Sequence, residues 1–437
     1  MTIYRRDMLK AGIAVGAGMM LVPASTRCQE SAANEELNVG VIGIGLQGRS
    51  LINAALKMAG VRFRAACDIW EFSQRYAEYY LANYGHKVNT YADYREMLDK
   101  EPGLDAVIVA SPDFVHAEQV NASLKAGRHV YCEPMMSNTV DGARSMVRTM
   151  QETGKLLQVG YQRRSNPRYL HAYGKLLQEA NLLGRIGNVN TQWVFALDDD
   201  RGWPRRNVIP DDVLRKNGYA DMRQFRNWRW FKKYSGGLFG NLGGHQLDVV
   251  NWFLGATPTS VAATGGGRYD PATQWHKNVM AMFEYEPAQG PVQAFCQMLT
   301  DTRADGSGAH ERFLGTNGSL TISQNPRWTA IYRDPEAPEW DDLVALDYLQ
   351  TKEQERVRKS ERKASDVAET GIVETYRLPV ELDNPVVYPH LLNFFEAVRG
   401  KTELNCPADV AFRTDVVAFK TVEAIAARKT LEIPSGE

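Results

Sequence analysis

The run Leu37-Asn38-Val39-Gly40-Val41-Ile42-Gly43-Ile44-Gly45-Leu46-Gln47-Gly48 sets a short apolar stretch directly before Gly-x-Gly-x-x-Gly. The apolar part reads as a buried strand. Leu51, Ile52, Ala55 and Leu56 follow on one helical face, and that pattern ends near Gly60. A second apolar stretch, Val61 to Cys67, delivers Asp68, 20 residues after Gly48. Strand, glycine turn, helix, strand and acid, in that order, predict a dinucleotide site. Gly43 permits the tight turn, Gly45 lets the backbone approach a pyrophosphate, and Gly48 lets helix and strand pack closely. The helix N-terminus offers unpaired N–H groups to phosphate oxygens. Ile44 and Gln47, inside the turn, are expected beside the cofactor too. Asp68 can accept hydrogen bonds from both ribose hydroxyls, and its charge repels a 2′-phosphate, so NAD is expected. Arg62 and Arg64 in the same strand leave NADP open.

The alternation of strand and helix continues. Asp93, with Glu96 three residues on, reads as a helix start. Asp105 to Ala110 is a short buried strand, followed by Ser111-Pro112-Asp113-Phe114-Val115-His116. A helix over about 117–125 leads to the strand His129 to Cys132, then Glu133-Pro134-Met135-Met136. A last strand runs from Leu156 to Gly160. Ligands of open α/β sheets bind at the carboxyl ends of strands. Ser111, Pro112, His116 and Glu133 are therefore expected at the cofactor. Beyond residue 160, strands are predicted over 189–196, 260–266, 279–285, 291–299 and 319–323.

The chain has 437 residues, long enough for two or three domains. Its 51 basic and 52 acidic side chains nearly cancel, which argues against a nucleic-acid partner. Five cysteines without a CxxC pair, and no HExxH, suggest neither a disulfide scaffold nor a metal site. The first residues read as an address. Tyr4-Arg5-Arg6-Asp7-Met8-Leu9-Lys10 precedes an apolar run from Ala11 to Val22. That run is too short for a bilayer core, which needs about 20 apolar residues. Twin arginines ahead of an apolar run point to twin-arginine export, to the periplasm or beyond. Cys28 is a weak candidate for lipid attachment, and Gln29 to Glu36 reads as a linker.

The motifs together resemble the Gfo/Idh/MocA oxidoreductases, named for glucose-fructose oxidoreductase and inositol dehydrogenase. The resemblance rests on the Gly43 fingerprint, the SPDFVHA and YCEPMM segments, and Val159-Gly160-Tyr161-Gln162-Arg163-Arg164. It extends to Trp228 and Trp230, Gly243-Gly244-His245-Gln246-Leu247-Asp248, and the helix opened by His390. It implies α/β plus α+β architecture: a doubly wound parallel Rossmann sheet, then a domain on a large, mostly antiparallel open sheet. The expected segments are a leader and linker at 1–35, a Rossmann domain at 36–160, a substrate and oligomerisation domain at 161–385, and C-terminal helices at 386–437 that pack back on the first domain. The resemblance also implies a homo-oligomer through the second sheet.

In that family a Glu-Lys-Pro segment and an Asp-x-x-x-His constellation supply the polar groups of the site. Here Pro134 stands at the lysine position and Asn241 at the aspartate position. His245 is left as the expected catalytic acid/base, its ordinary pKa near 6.5 being suited to proton transfer at neutral pH. Asp248 would orient the imidazole or cap the helix. Tyr161, Arg163 and Asn241 complete the expected substrate contacts, and Lys232, Lys233 or Lys277 could replace the missing lysine. The expected function is NAD(P)-dependent hydride transfer to or from a sugar, cyclitol or related polyol. Two alternatives remain at this stage: a glycosidase acting by transient sugar oxidation, and a non-catalytic, cofactor-bound sugar binder.

Overall fold

A computed structural model describes residues 36–267, 273–302, 308–351 and 374–434. The expected leader, with its twin arginines and Cys28, lies outside the described residues. The first sheet has strands β1 (Leu37–Ile42), β2 (Val61–Cys67), β3 (Asn89–Tyr91), β4 (Ala106–Val109), β5 (His129–Cys132) and β6 (Leu157–Val159). Helices α1 (Leu46–Ala55), α2 (Glu71–Ala82), α3 (Tyr94–Lys100), α4 (Asp113–Lys125) and α5 (Val140–Thr153) separate them. All six strands are parallel, in the order β3-β2-β1-β4-β5-β6. The strand order reverses between β1 and β4, so their carboxyl ends open a crevice there. Val39, Val41 and Ala106 to Val109 are buried on both faces, as central parallel strands require.

The chain leaves β6 through a 3₁₀ turn, Gln162–Ser165, and helix α6 (Pro167–His171). The second sheet has ten strands: β7 (Ile186–Val194), β8 (Ser260–Gly266), β9 (Asn278–Tyr285), β10 (Val292–Leu299), β11 (Ala309–Gly315), β12 (Gly318–Ile322), β13 (Ala330–Arg333), β14 (Gln350–Thr351), β15 (Thr375–Arg377) and β16 (Leu431–Glu432). Among the described residues only β7 and β10 pair in parallel in this sheet; its other ladders are antiparallel. The five predicted strands are present with ends shifted by up to three residues, and β11 and β13 to β16 are additional.

Between β7 and the next long helix lies an insertion holding α7 (Asp211–Lys216), α8 (Met222–Arg226) and a 3₁₀ turn, Trp228–Trp230. Its apolar side chains Leu214, Tyr219, Met222 and Tyr234 cluster with Trp70 of the first domain. Trp70 Nε1 also donates to the Asn207 carbonyl at 2.8 Å. The insertion thus lies against the carboxyl edge of the Rossmann sheet. A π-helical turn, Phe239–Gly243, then runs into α9 (Gly244–Leu254), and α10 (Asp341–Ala345) follows β13.

Helices α11 (Tyr388–Val398) and α12 (Ala408–Ala427) close the chain. Leu391, Phe394 and Phe395 of α11 share a core with Val39, Val41 and Leu51. Phe412 and Val416 of α12 pack with Met146 and Val159, whereas Val417, Ala418 and Ala424 enter the core of the second sheet. Among the described residues no helix is long and apolar enough to cross a membrane. No group of three His, Cys, Asp or Glu side chains among them could hold a metal ion.

Candidate functional site

The glycine turn after β1 is shaped by close approach. Gly43 has φ +90°, and a Cβ there would lie 2.6 Å from the Ser111 nitrogen after β4. A Cβ at Gly48 would lie 2.0 Å from the Gly43 carbonyl oxygen. Gly45 is the opposite case: nothing lies within 4 Å of its Cβ position, at the start of α1. No side chain caps α1, so its first amides face that open space. A diphosphate fits this cradle.

Asp68 Oδ2 accepts the Ile44 amide at 2.8 Å, and Oδ1 accepts the Trp70 amide at 2.9 Å. Each carboxylate oxygen keeps a lone pair for a ribose hydroxyl. Ile44 contributes through its backbone, since its side chain is fully buried. Arg62 and Arg64 pair with Glu36 at 3.0 and 3.1 Å, at the amino end of the sheet. That location removes the reason for keeping NADP open on their account. Ser111 and Pro112 are half-buried, and Ser111 lies beside Gly43. His116 differs from expectation. It is buried, with Nδ1 2.8 Å from the Met135 carbonyl and Nε2 2.7 Å from the Ser111 carbonyl. Both ring nitrogens are occupied, so His116 fixes the two loops instead of meeting a cofactor.

Next to the glycine turn, β5 delivers Glu133, which is half-buried and hydrogen-bonded to Gln47 of that turn and to Tyr131. Burial pushes its carboxyl up to about 7. From the second domain, α9 delivers His245 at its first turn. The imidazole lies 5.4 Å from the Tyr161 ring, edge to face, and 6.1 Å from Trp193, stacked. Its Nδ1 is buried without a partner among the described residues. Burial, with the Arg163 charge nearby, lowers His245 to about 3. The expectation of a histidine titrating near neutrality is thus corrected, because its aromatic surroundings cannot solvate an imidazolium.

The remaining expected contacts have polar partners within the second domain or across to the first domain and α12. Tyr161 donates its hydroxyl to Asp415 of α12, and Arg163 forms a buried ion pair with Glu311 of β11. Asn241 donates to Asp113 Oδ2 at 2.8 Å and to the Gly237 carbonyl. Asp248 does not reach the imidazole: its carboxylate accepts Arg164 Nε at 2.8 and 3.0 Å and the Thr414 hydroxyl at 3.2 Å. Tyr161, Arg163, Asn241 and Asp248 thus each have a buried polar partner, which gives them a structural role. The candidate lysines are also engaged. Lys277 is buried against Asp199, Lys233 donates to the Gly218 carbonyl, and exposed Lys232 sits over Trp275. A cation the sequence reading missed is Arg229, whose charge acts on Asp113 and Glu133. The sequence held one signal for it, an arginine between Trp228 and Trp230.

This geometry agrees with the comparisons. Residues 37–161 match the family profile described as "Oxidoreductase family, NAD-binding Rossmann fold", and residues 212–321 match the GFO/IDH/MocA C-terminal domain. Together the two segments span more than half of the chain. The chain belongs to the Gfo/Idh/MocA oxidoreductase family. Its first domain is therefore an NAD-binding Rossmann domain of that family.

Among curated relatives, inositol 2-dehydrogenase of Rhizobium meliloti is 25% identical over 233 residues, 53% of this chain and 59% of the relative. An inositol 2-dehydrogenase/D-chiro-inositol 3-dehydrogenase of Shouchella clausii is 35% identical over 145 residues, 33% of this chain and 41% of the relative. The match spans less than two thirds of these relatives' own length. Among solved structures, the WlbA dehydrogenase of Bordetella pertussis, in complex with NADH and UDP-GlcNAcA, superposes with a TM-score of 0.66 at 18% identity. It covers 92% of this chain and 98% of that one. Aldose-aldose oxidoreductase of Caulobacter crescentus gives 0.67 at 17% identity, covering 91% and 99%. These likenesses establish the family's two-domain fold.

Proposed function

We propose that the protein is an NAD-dependent oxidoreductase that removes or returns hydride at a carbinol of a sugar, cyclitol or related polyol. The observation that carries this reading is a diphosphate cradle at Gly45 with two proton-accepting groups on the same side of the fold, Glu133 after β5, close against Gly160, and His245 against the ring of Tyr161. Relatives named as inositol dehydrogenases support the substrate class. Gly45 and the α1 amides would hold the diphosphate, and Asp68 the adenosine ribose. A bound nicotinamide supplies the hydride acceptor. Glu133 takes the hydroxyl proton, because its pKa matches neutral pH. His245, held neutral, accepts a hydrogen bond from the same hydroxyl and orients it. The insertion over the carboxyl edge limits water at the reacting carbon.

NADH fluorescence titration tests the reading. Wild-type protein should bind NADH more tightly than NADPH. Gly45→Leu should fold, since its Cβ position is open, yet lose NADH. Asp68→Ala should narrow the NADH/NADPH preference. A wild-type chain that ignores NADH, or prefers NADPH, sinks the proposal.

Two further expectations belong to this reading. Residues 1–35 direct twin-arginine export, so Arg5→Lys with Arg6→Lys should hold the folded protein in the cell. The outward face of the second sheet, where Met280 and Met282 are exposed, pairs with a second copy.

A further inference from the structure

The insertion between β7 and α9 brings three arginines, Arg201, Arg226 and Arg229, to one recess, whose lining also includes Trp228, Trp230 and a single acidic residue, Asp198. The guanidinium carbon of Arg229 sits 4.3 Å from the Trp228 ring centroid. That of Arg226 sits 5.2 Å from the Trp70 ring, with Nε donating to the Gly202 carbonyl at 3.0 Å. Among the described residues none of the three meets a carboxylate within ion-pair distance. Arg201 repels both of its neighbours. The negative groups within electrostatic reach are Asp68 for Arg226, and Asp113 and Glu133 for Arg229. Burial pushes all three of those carboxyls toward their neutral forms.

Three guanidinium groups gathered with no carboxylate at ion-pair distance repel one another, and an incoming anion offsets that repulsion. The aromatic rings hold the guanidinium planes in place, so little freedom is lost when a planar anion binds. A carboxylate suits such a plane, since two N–H donors meet its two oxygens. The cofactor diphosphate is a second source of negative charge. It already has the cradle at Gly45, however, while Arg229 acts on Asp113 and Glu133 at the reactive end.

We propose that Arg201, Arg226 and Arg229 form the anion pocket of the substrate site, and that the substrate is an acidic sugar whose carboxylate binds there. The pocket then anchors the sugar while Glu133 meets a carbinol. The inference rests on the oxidoreductase reading above and names the substrate class within it.

Tryptophan fluorescence provides the test, because Trp228 lies under Arg229. D-glucuronate and D-galacturonate are titrated against D-glucose and D-galactose at constant ionic strength, with NADH present. The wild type should respond saturably to the acids and far less to the neutral sugars. Arg229→Gln should weaken the acid response about tenfold or more while leaving the NADH dissociation constant within about threefold. Arg229→Lys should fall between, keeping the charge without the fork. Arg201→Gln serves as an independent variant should Arg229→Gln unfold, as circular dichroism would show. Equal responses to acid and neutral sugars overturn the proposal, as does an acid response that survives in both glutamine variants. Loss of NADH in step with the acids assigns the arginines to the cofactor instead. A wild type that binds no NADH fails the oxidoreductase reading itself, a distinct outcome.

Discussion

Burial moves the two titratable side chains at the reactive end in opposite directions, Glu133 up to about 7 and His245 down to about 3. In both cases it opposes the charged form, so the carboxyl holds its proton and the imidazole refuses one. The roles expected from residue type are therefore exchanged. His245 was readable as a site residue from Gly243-Gly244-His245, but its acidity depends on Tyr161 and Trp193, which reach it only through the fold. The carboxylate fraction of Glu133 grows as pH rises through about 7, so oxidation should accelerate over that interval and then level. Glu133→Gln should remove this limb and slow single-turnover hydride transfer by roughly 10²–10⁴-fold. The absorbance of reduced nicotinamide follows both. A Glu133→Gln variant with the wild-type profile would return the proton to another group.

At the level of elements, the approach of the two domains is set by small residues facing a methionine. Met135 follows β5, and a Cβ on Gly240 would lie 2.1 Å from its sulfur; Gly236 is similarly close, at 2.7 Å. Gly240 sits in the π-helical turn that leads into α9, and π turns are frequent at functional sites. Gly240→Ala should overpack this contact and destabilise the fold by about 1–3 kcal/mol, read as a lower midpoint of thermal unfolding. Shortening Met135 to alanine in the same chain should recover part of the loss, whereas the two effects simply adding would show that the residues do not compete for space. Strand β11 shows the limit of pattern reading. Ala309-His310-Glu311-Arg312-Phe313-Leu314-Gly315 places a charge on the inward face, so its alternation looks broken. The strand forms because Glu311, wholly buried, finds Arg163 and the Tyr169 hydroxyl.

Across the whole molecule, buried polar links tie the parallel sheet to the second domain. Arg163 reaches Glu311 from the turn after β6. Asp415 of α12 accepts the Met136 amide at 2.8 Å and the Tyr161 hydroxyl, and its carboxyl is pushed up to about 7 by burial. Asp113 accepts the Gly236 amide at 3.0 Å together with Asn241. Removing one member of a buried pair strands the other. Arg163→Met should therefore cost roughly 3–5 kcal/mol, and adding Glu311→Gln should restore part of it. Urea denaturation of both variants measures this. A single variant as stable as the wild type would show that solvent reaches Glu311.

The sequence by itself determined the Rossmann half, because its signals are local: a strand, a glycine turn and an acid 20 residues on must lie together wherever the chain folds. It also placed five of the strands of the second sheet and named Glu133 and His245 as site residues. It did not determine which polar side chains face the crevice. Tyr161, Arg163, Asn241 and Asp248 look like substrate ligands in one dimension, yet each is paired with a residue between 84 and 254 positions away. Arg229 looks like a surface charge, yet the fold brings it to Glu133. A buried polar group must find a partner, and which partner it finds depends on contacts across the chain that local pattern does not encode.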